Sequence, residues 1–82
     1  MIKILYFSWV RERLGVSEQL IETNATNIGE LIDELKSKDE KYKLTFDDLS
    51  LIKIAANQKL VDVRHPLKEV TEVAFFPPMT GG

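Results

Sequence analysis

The 82-residue chain holds one histidine and no cysteine, so few of its side chains are equipped for covalent chemistry. Acid–base catalysis needs a placed group of useful pKa inside a dry pocket. His65 lies in the turn-like run Arg64-His65-Pro66-Leu67 and reads as structural or exposed. The carboxylate pair Asp47–Asp48 precedes Leu49-Ser50, where capping and solvation are the expected jobs. No His, Asp or Glu cluster has metal-ligand spacing, and Gly15, Gly29, Gly81 and Gly82 form no phosphate-cradling loop. Thiolate, disulfide and Cys-based metal chemistry are excluded outright.

The main chain offers what the side chains do not. The sequence ends VAFFPPMTGG, ten residues without a charge. A terminal carboxylate at Gly82 is a weak electrophile because its charge is shared by two oxygens. Joined to AMP it becomes a mixed anhydride with a good leaving group, open to a sulfur or amine nucleophile. Glycine suits that position because no Cβ crowds the carbonyl, and Gly81 makes a thin thread able to enter a narrow tunnel. Pro77 and Pro78 lack amide donors and restrict the backbone, so they stop a strand and aim Met79, Thr80, Gly81 and Gly82 outward. The ending reads as an exposed functional tail.

The rest of the chain must position that tail. Apolar residues make up 44% and charged residues 29%, a globular composition for one domain with one thin core. In MIKILYF, Ile2, Ile4 and Tyr6 alternate with Lys3, Leu5 and Phe7, which predicts a strand. RERLGV suggests a loop or short helical turn ending at Gly15, and SEQLIETN a second strand hairpinned to the first. Ile28, Leu31, Ile32 and Leu35 fall at i, i+3, i+4 and i+7, one stripe of a helix. Asn27 caps it, with Glu30 placed to reach back in a capping box. Gly29, in the first turn, permits close packing against a sheet. DEKYKLTFDDLS has no clean period and reads as loop with one short helical turn. LIKIAANQKLVDV gives two strands reversing at Asn57, which tolerates positive φ; HPL turns again, and EVAFF is the last strand.

The order β-β-α-β-β-β favours an α+β domain of the β-grasp, ubiquitin-like kind: a mixed sheet on one main helix over residues 1–76, and a projecting tail over 77–82. A ferredoxin-like half or a small α/β roll has a compatible order. Eleven basic and 13 acidic side chains leave a net charge of −2, against nucleic-acid binding. No stretch approaches the ~20 apolar residues of a membrane span, and the start shows no cleavable signal, so a cytoplasmic address is expected.

Across nearly its whole length the chain resembles the molybdopterin synthase small subunits, a family of ubiquitin-like sulfur carriers. The likeness rests on MIKILYFSWVRERLG, NIGELIDELK, AANQKLVD, HPL and above all VAFFPPMTGG. The family pattern has an Asp-Gly-Asp-like turn where this chain has Glu69-Val70-Thr71. The resemblance implies that Gly82 is adenylated with ATP by a partner adenylyltransferase. A sulfur-donor system then converts it to a thiocarboxylate, which delivers sulfur to cyclic pyranopterin monophosphate in the large synthase subunit. Gly81, Thr80, Met79, Pro78 and Pro77 would enter that subunit, and Phe7, Leu60 and Phe76 would dock against it. The implied protein binds no metal or cofactor of its own, and catalytic side chains belong to the partner in an assembly of two small and two large subunits. Leu5 and Phe7, opposite the core side of the first strand, fit an apolar docking patch; a core-edge role for Phe7 and Phe76 is the alternative. Carriers for thiazole synthesis or tRNA thiolation, a protein modifier joined through Gly82, and a non-reactive β-grasp interaction module are the competing readings.

Overall fold

The computed structural model describes residues 1–78. Five strands form one mixed sheet, β1 (Ile2–Tyr6), β2 (Glu18–Ile21), β3 (Lys53–Ala56), β4 (Lys59–Val61) and β5 (Glu72–Phe76), in spatial order β2-β1-β5-β3-β4. The first and last strands lie side by side and parallel in the centre, with Ile4 opposite Val73 and Tyr6 opposite Phe75. All other pairings are antiparallel. Three α-helices cover one face: α1 (Ser8–Leu14), α2 (Ile28–Lys38) and α3 (Glu40–Phe46).

Helix α2 is the main one, and its stripe of Ile28, Leu31, Ile32 and Leu35 is buried. Its first amides are satisfied by three different acceptors. Ile28 donates to the His65 carbonyl (3.0 Å), Gly29 to the Val63 carbonyl (2.8 Å) and Glu30 to Asn27 Oδ1 (2.8 Å). Unmet, these donors would each weaken the helix start. Glu30 does reach back, but to the amide and hydroxyl of Thr26 rather than to Asn27, and these bonds hold its carboxyl below the usual range. A side chain at Gly29 would approach the Val63 carbonyl at 3.4 Å, so the close packing there is against the 62–67 turn rather than the sheet.

Two helices exceed the sequence expectation of a single one. RERLG is the end of α1, a full helix that follows β1 without a linker: Ser8 turns through φ 54°. No side chain caps its start, so the usual marker is missing. Gly15, at φ 78°, closes it by donating to the Arg11 carbonyl at 2.8 Å. The expected loop DEKYKLTFDDLS contains α3, capped by Asp39, and a 3₁₀ turn at Leu49–Leu51 capped by Asp48. Tyr42, Thr45 and Phe46 face inward at i, i+3 and i+4.

The core is one cluster between sheet and helices. At its centre Phe75 meets Phe46 edge-on at 4.8 Å and stacks on Tyr6 at 6.0 Å. The buried Tyr6 hydroxyl accepts a hydrogen bond from Gln19 Nε2 at 2.6 Å, and among the described residues no buried side-chain polar atom lacks a partner.

Candidate functional site

β5 carries the chain from the core to the tail. Its amides and carbonyls are held on both sides, by β1 and by β3, and the last pair joins Phe76 to Lys53. Beyond it Pro77 and Pro78 have no N–H to extend the ladder, and both are half-buried. The strand's exit is fixed further by the Phe7 amide, which donates to the Phe75 carbonyl at 3.1 Å. Met79, Thr80, Gly81 and Gly82, the residues on which the tail chemistry was placed, lie outside the described residues.

The helix-free face of the sheet is the second part of the site. Strand alternation puts Leu5, Ala74, Ala55 and Leu60 in one row across four strands, because Leu5 pairs with Ala74, Ala74 with Ala55 and Ala55 with Leu60. Phe76 shares this face, as does Phe7, whose extended backbone continues the alternation of β1. Phe7 is 44% and Leu60 68% exposed, whereas Phe76 is half-buried. The neighbouring Phe75 points the other way and is fully buried. Charged Lys3 and Glu72 oppose each other at the end of the face remote from Pro77, and nearer the tail end Glu18, paired with Leu5, and Lys53, paired with Phe76, flank the apolar row. The three residues expected at a docking surface therefore share one side of the sheet. Ala55 and Ala74, which the sequence reading did not single out, close the gap between them; their signal was the alternation of β3 and β5.

The other polar candidates have structural partners. Asp48 Oδ1 accepts from the amide (3.0 Å) and hydroxyl (2.6 Å) of Ser50; the hydroxyl bond, then the amide bond, hold its carboxyl below the ordinary range. Asp47 pairs with Lys36 at 3.7 Å. His65 sits in a turn, its amide donating to the Asp62 carbonyl at 3.1 Å. Asp62 is lowered by the Arg64 amide and then by its guanidinium. Among the described residues no three potential ligands gather to hold a metal ion, and no helix is long and apolar enough to cross a membrane.

A mixed five-stranded sheet with parallel first and last strands, covered by helices on one side and feeding its last strand toward a proline-marked exit, defines a β-grasp domain of the ubiquitin-like class. The chain belongs to the ThiS family, which it matches over residues 4–82. It is 38% identical to the molybdopterin synthase sulfur carrier subunit of Escherichia coli K12 over 100% of both chains. Among solved structures it is similar to a putative molybdopterin converting factor subunit 1 from Pyrococcus furiosus, with 29% identity, a TM-score of 0.74 and 95% and 97% of the two chains covered. It is also similar to a chain in the complex of subunits 1 and 2 of the molybdopterin-converting factor from Helicobacter pylori, at 26% identity and a TM-score of 0.66, with 99% and 97% covered.

Proposed function

We propose that this chain is a sulfur carrier for molybdopterin synthesis, the small partner of a large synthase subunit. The full-length likeness to a sulfur carrier subunit, complete on both chains, is the observation that supports this most. The converting-factor complex of two subunits supports a large partner. In this reading the Gly82 carboxylate attacks ATP on an activating enzyme, releasing pyrophosphate and forming the acyl-adenylate. A sulfur donor then displaces AMP to leave a terminal thiocarboxylate. Its sulfur, largely anionic at neutral pH, is a nucleophile toward cyclic pyranopterin monophosphate. Water restores the carboxylate after transfer, and two carrier turnovers supply the two sulfurs of one dithiolene.

Each part of the fold has a task in this scheme. The doubly paired β5 holds the root of the tail still, so that its free end alone needs to adapt to the partner's tunnel. The row Leu5–Ala74–Ala55–Leu60, with Phe7 and Phe76, gives the large subunit an apolar surface to bury beside the tail. The carrier contributes a reacting atom of its own main chain, and the surrounding catalytic groups belong to its partners. A cytoplasmic setting and a two-plus-two assembly complete the proposal.

Intact mass spectrometry of the protein from its native cells tests the chemistry. Exchange of oxygen for sulfur adds about 16 Da, the same as methionine oxidation, so C-terminal fragmentation must separate Gly82 from Met79. A thiocarboxylate at Gly82 that yields pterin dithiolene with the large subunit supports the reading. Delivery of that sulfur to a thiazole precursor or to tRNA instead, isopeptide conjugates through Gly82, or failure to be adenylated would each replace it.

A further inference from the structure

A groove of about 470 Å³ opens at the C-terminal end of β5, lined by Trp9, Arg13, Leu51, Pro77 and Pro78. Trp9 and Arg13 are four residues apart on α1 and so share its flank, while Val10 and Leu14 turn into the core. Trp9 is half-buried against the core cluster, and the Arg13 guanidinium lies 5.0 Å from the centre of its ring. Arg13 is exposed and takes part in no ion pair among the described residues. Leu51, on the facing wall, is 52% exposed. The groove thus has apolar walls and one cation, held over an aromatic ring, with no acid of its own to neutralise it.

Its position says what would fill it. Phe76 stands on the helix-free face of the sheet, and the next residue, Pro77, already lines the groove. A protein that covers the apolar face and also holds Pro77 and Pro78 borders the groove as well. We propose that the large synthase subunit anchors here through a carboxylate side chain paired with Arg13 and an adjacent apolar side chain seated between Trp9, Leu51 and the two prolines. This rests on the sulfur-carrier reading. Arg and Trp are the residue types that dominate binding when desolvated at an interface, and a cation–π contact strengthens as water leaves. A carboxylate arriving at an unpaired guanidinium also gives an attraction that depends on salt. The anchor lies beside the exit of the tail, so it would fix the angle at which the tail enters its partner as well as adding affinity.

The test is calorimetric binding of the full chain to purified large subunit at low and high salt. Arg13→Ala should weaken binding about fivefold and Arg13→Glu about 10- to 30-fold, with a flatter salt dependence in both. Trp9→Phe keeps a ring beside the guanidinium but gives up part of the apolar wall, so it should weaken binding by less than Trp9→Ala does, and thermal melts of every variant establish that the domain is folded. Reversing, one at a time, the partner's acidic residues near the bound tail should yield one variant that restores binding of Arg13→Glu. If Arg13→Glu binds like wild type at low salt while Phe76→Ala binds weakly, the groove is not an anchor and the carrier reading stands. If the wild-type chain itself shows no binding, both readings fall together.

Discussion

The carboxamide oxygen of Asn57 accepts from the Thr71 amide at 3.0 Å, and also from the Thr71 hydroxyl and the Glu72 amide at 3.2 Å each. Its Nδ2 donates to the Glu69 carbonyl at 3.2 Å, and its own amide donates to the Glu72 carbonyl at 2.9 Å. The turn between β3 and β4 therefore grips the point where β5 begins, the strand that ends at the tail. One residue serves both ends of this link. It holds φ 49° in a reversal whose next residue, Gln58, is at φ 70°, and it braces a loop that is distant in sequence.

Asn57→Ala should lose about 2–3 kcal/mol of stability, combining the left-handed backbone cost with the loss of several partly exposed hydrogen bonds. Asn57→Gly restores the backbone freedom but not the brace and should recover about 1 kcal/mol of that. Asn57→Asp keeps the acceptor and should fall between wild type and Ala. Urea unfolding of the three variants measures the order; equal losses for Gly and Ala would mean that the backbone conformation contributes nothing.

Glu69 is the strained partner of that arrangement. It sits at φ 67°, where a side chain is disfavoured, and its carbonyl is held there by Asn57. Here the chain departs from the Asp-Gly-Asp-like pattern, yet the turn closes all the same, with the Val70 amide donating to the Leu67 carbonyl at 3.0 Å. Glu69→Gly should raise stability by about 0.5–1 kcal/mol, since relief of the left-handed conformation outweighs the added freedom of the unfolded chain. Glu69→Ala should gain almost nothing. A thermal shift of several degrees for Gly, and none for Ala, checks the claim.

The pH response at the alkaline end follows from Tyr6. Burial pushes its phenol above the ordinary value of about 10, the bond from Gln19 partly opposes this, and neighbouring Tyr42 adds to the rise. A folded-state pKa above the unfolded one means stability that is complete below about pH 10 and lost as pH climbs from there toward the folded value. Wild type should unfold cooperatively in that alkaline window, with tyrosinate absorbance and loss of ellipticity rising together. Tyr6→Phe should flatten the alkaline limb while costing about 1 kcal/mol at neutral pH, because Gln19 loses its short acceptor.

What the sequence disclosed depended on how far each signal reached along the chain. Alternation in β1 separates Ile2, Ile4 and Tyr6 from Leu5 and Phe7, and the stripe of α2 spans more than two turns, so both were legible. Helices α1 and α3 have seven residues each, too short for a period to repeat, and α1 lacks a capping side chain. The apolar row on the open face was only half legible. Leu5 and Leu60 advertise themselves, but Ala55 and Ala74 join them through strand register, a property of pairing rather than of any local run. The same holds for the brace from Asn57 and for the groove under Trp9, which bring together residues far apart in sequence.

Adjacent residues at the end of β5 provide the sharpest separation of folding from docking. Phe75 is fully buried between Tyr6 and Phe46, whereas Phe76 lies half-buried on the open face beside Lys53. Phe75→Ala should cost about 3–5 kcal/mol through lost contacts and a cavity, a large part of the stability of a domain of this size. Phe76→Ala removes a side chain that keeps one flank in water, and it should cost less than about 1.5 kcal/mol. Binding should respond in the opposite sense: with the large subunit, Phe76→Ala loses about tenfold or more in affinity, in the manner of an interface aromatic. Urea unfolding and calorimetric binding of the two variants decide the matter. A Phe76 variant that unfolds as easily as the Phe75 variant and binds its partner unchanged would move Phe76 from the proposed docking face into the core.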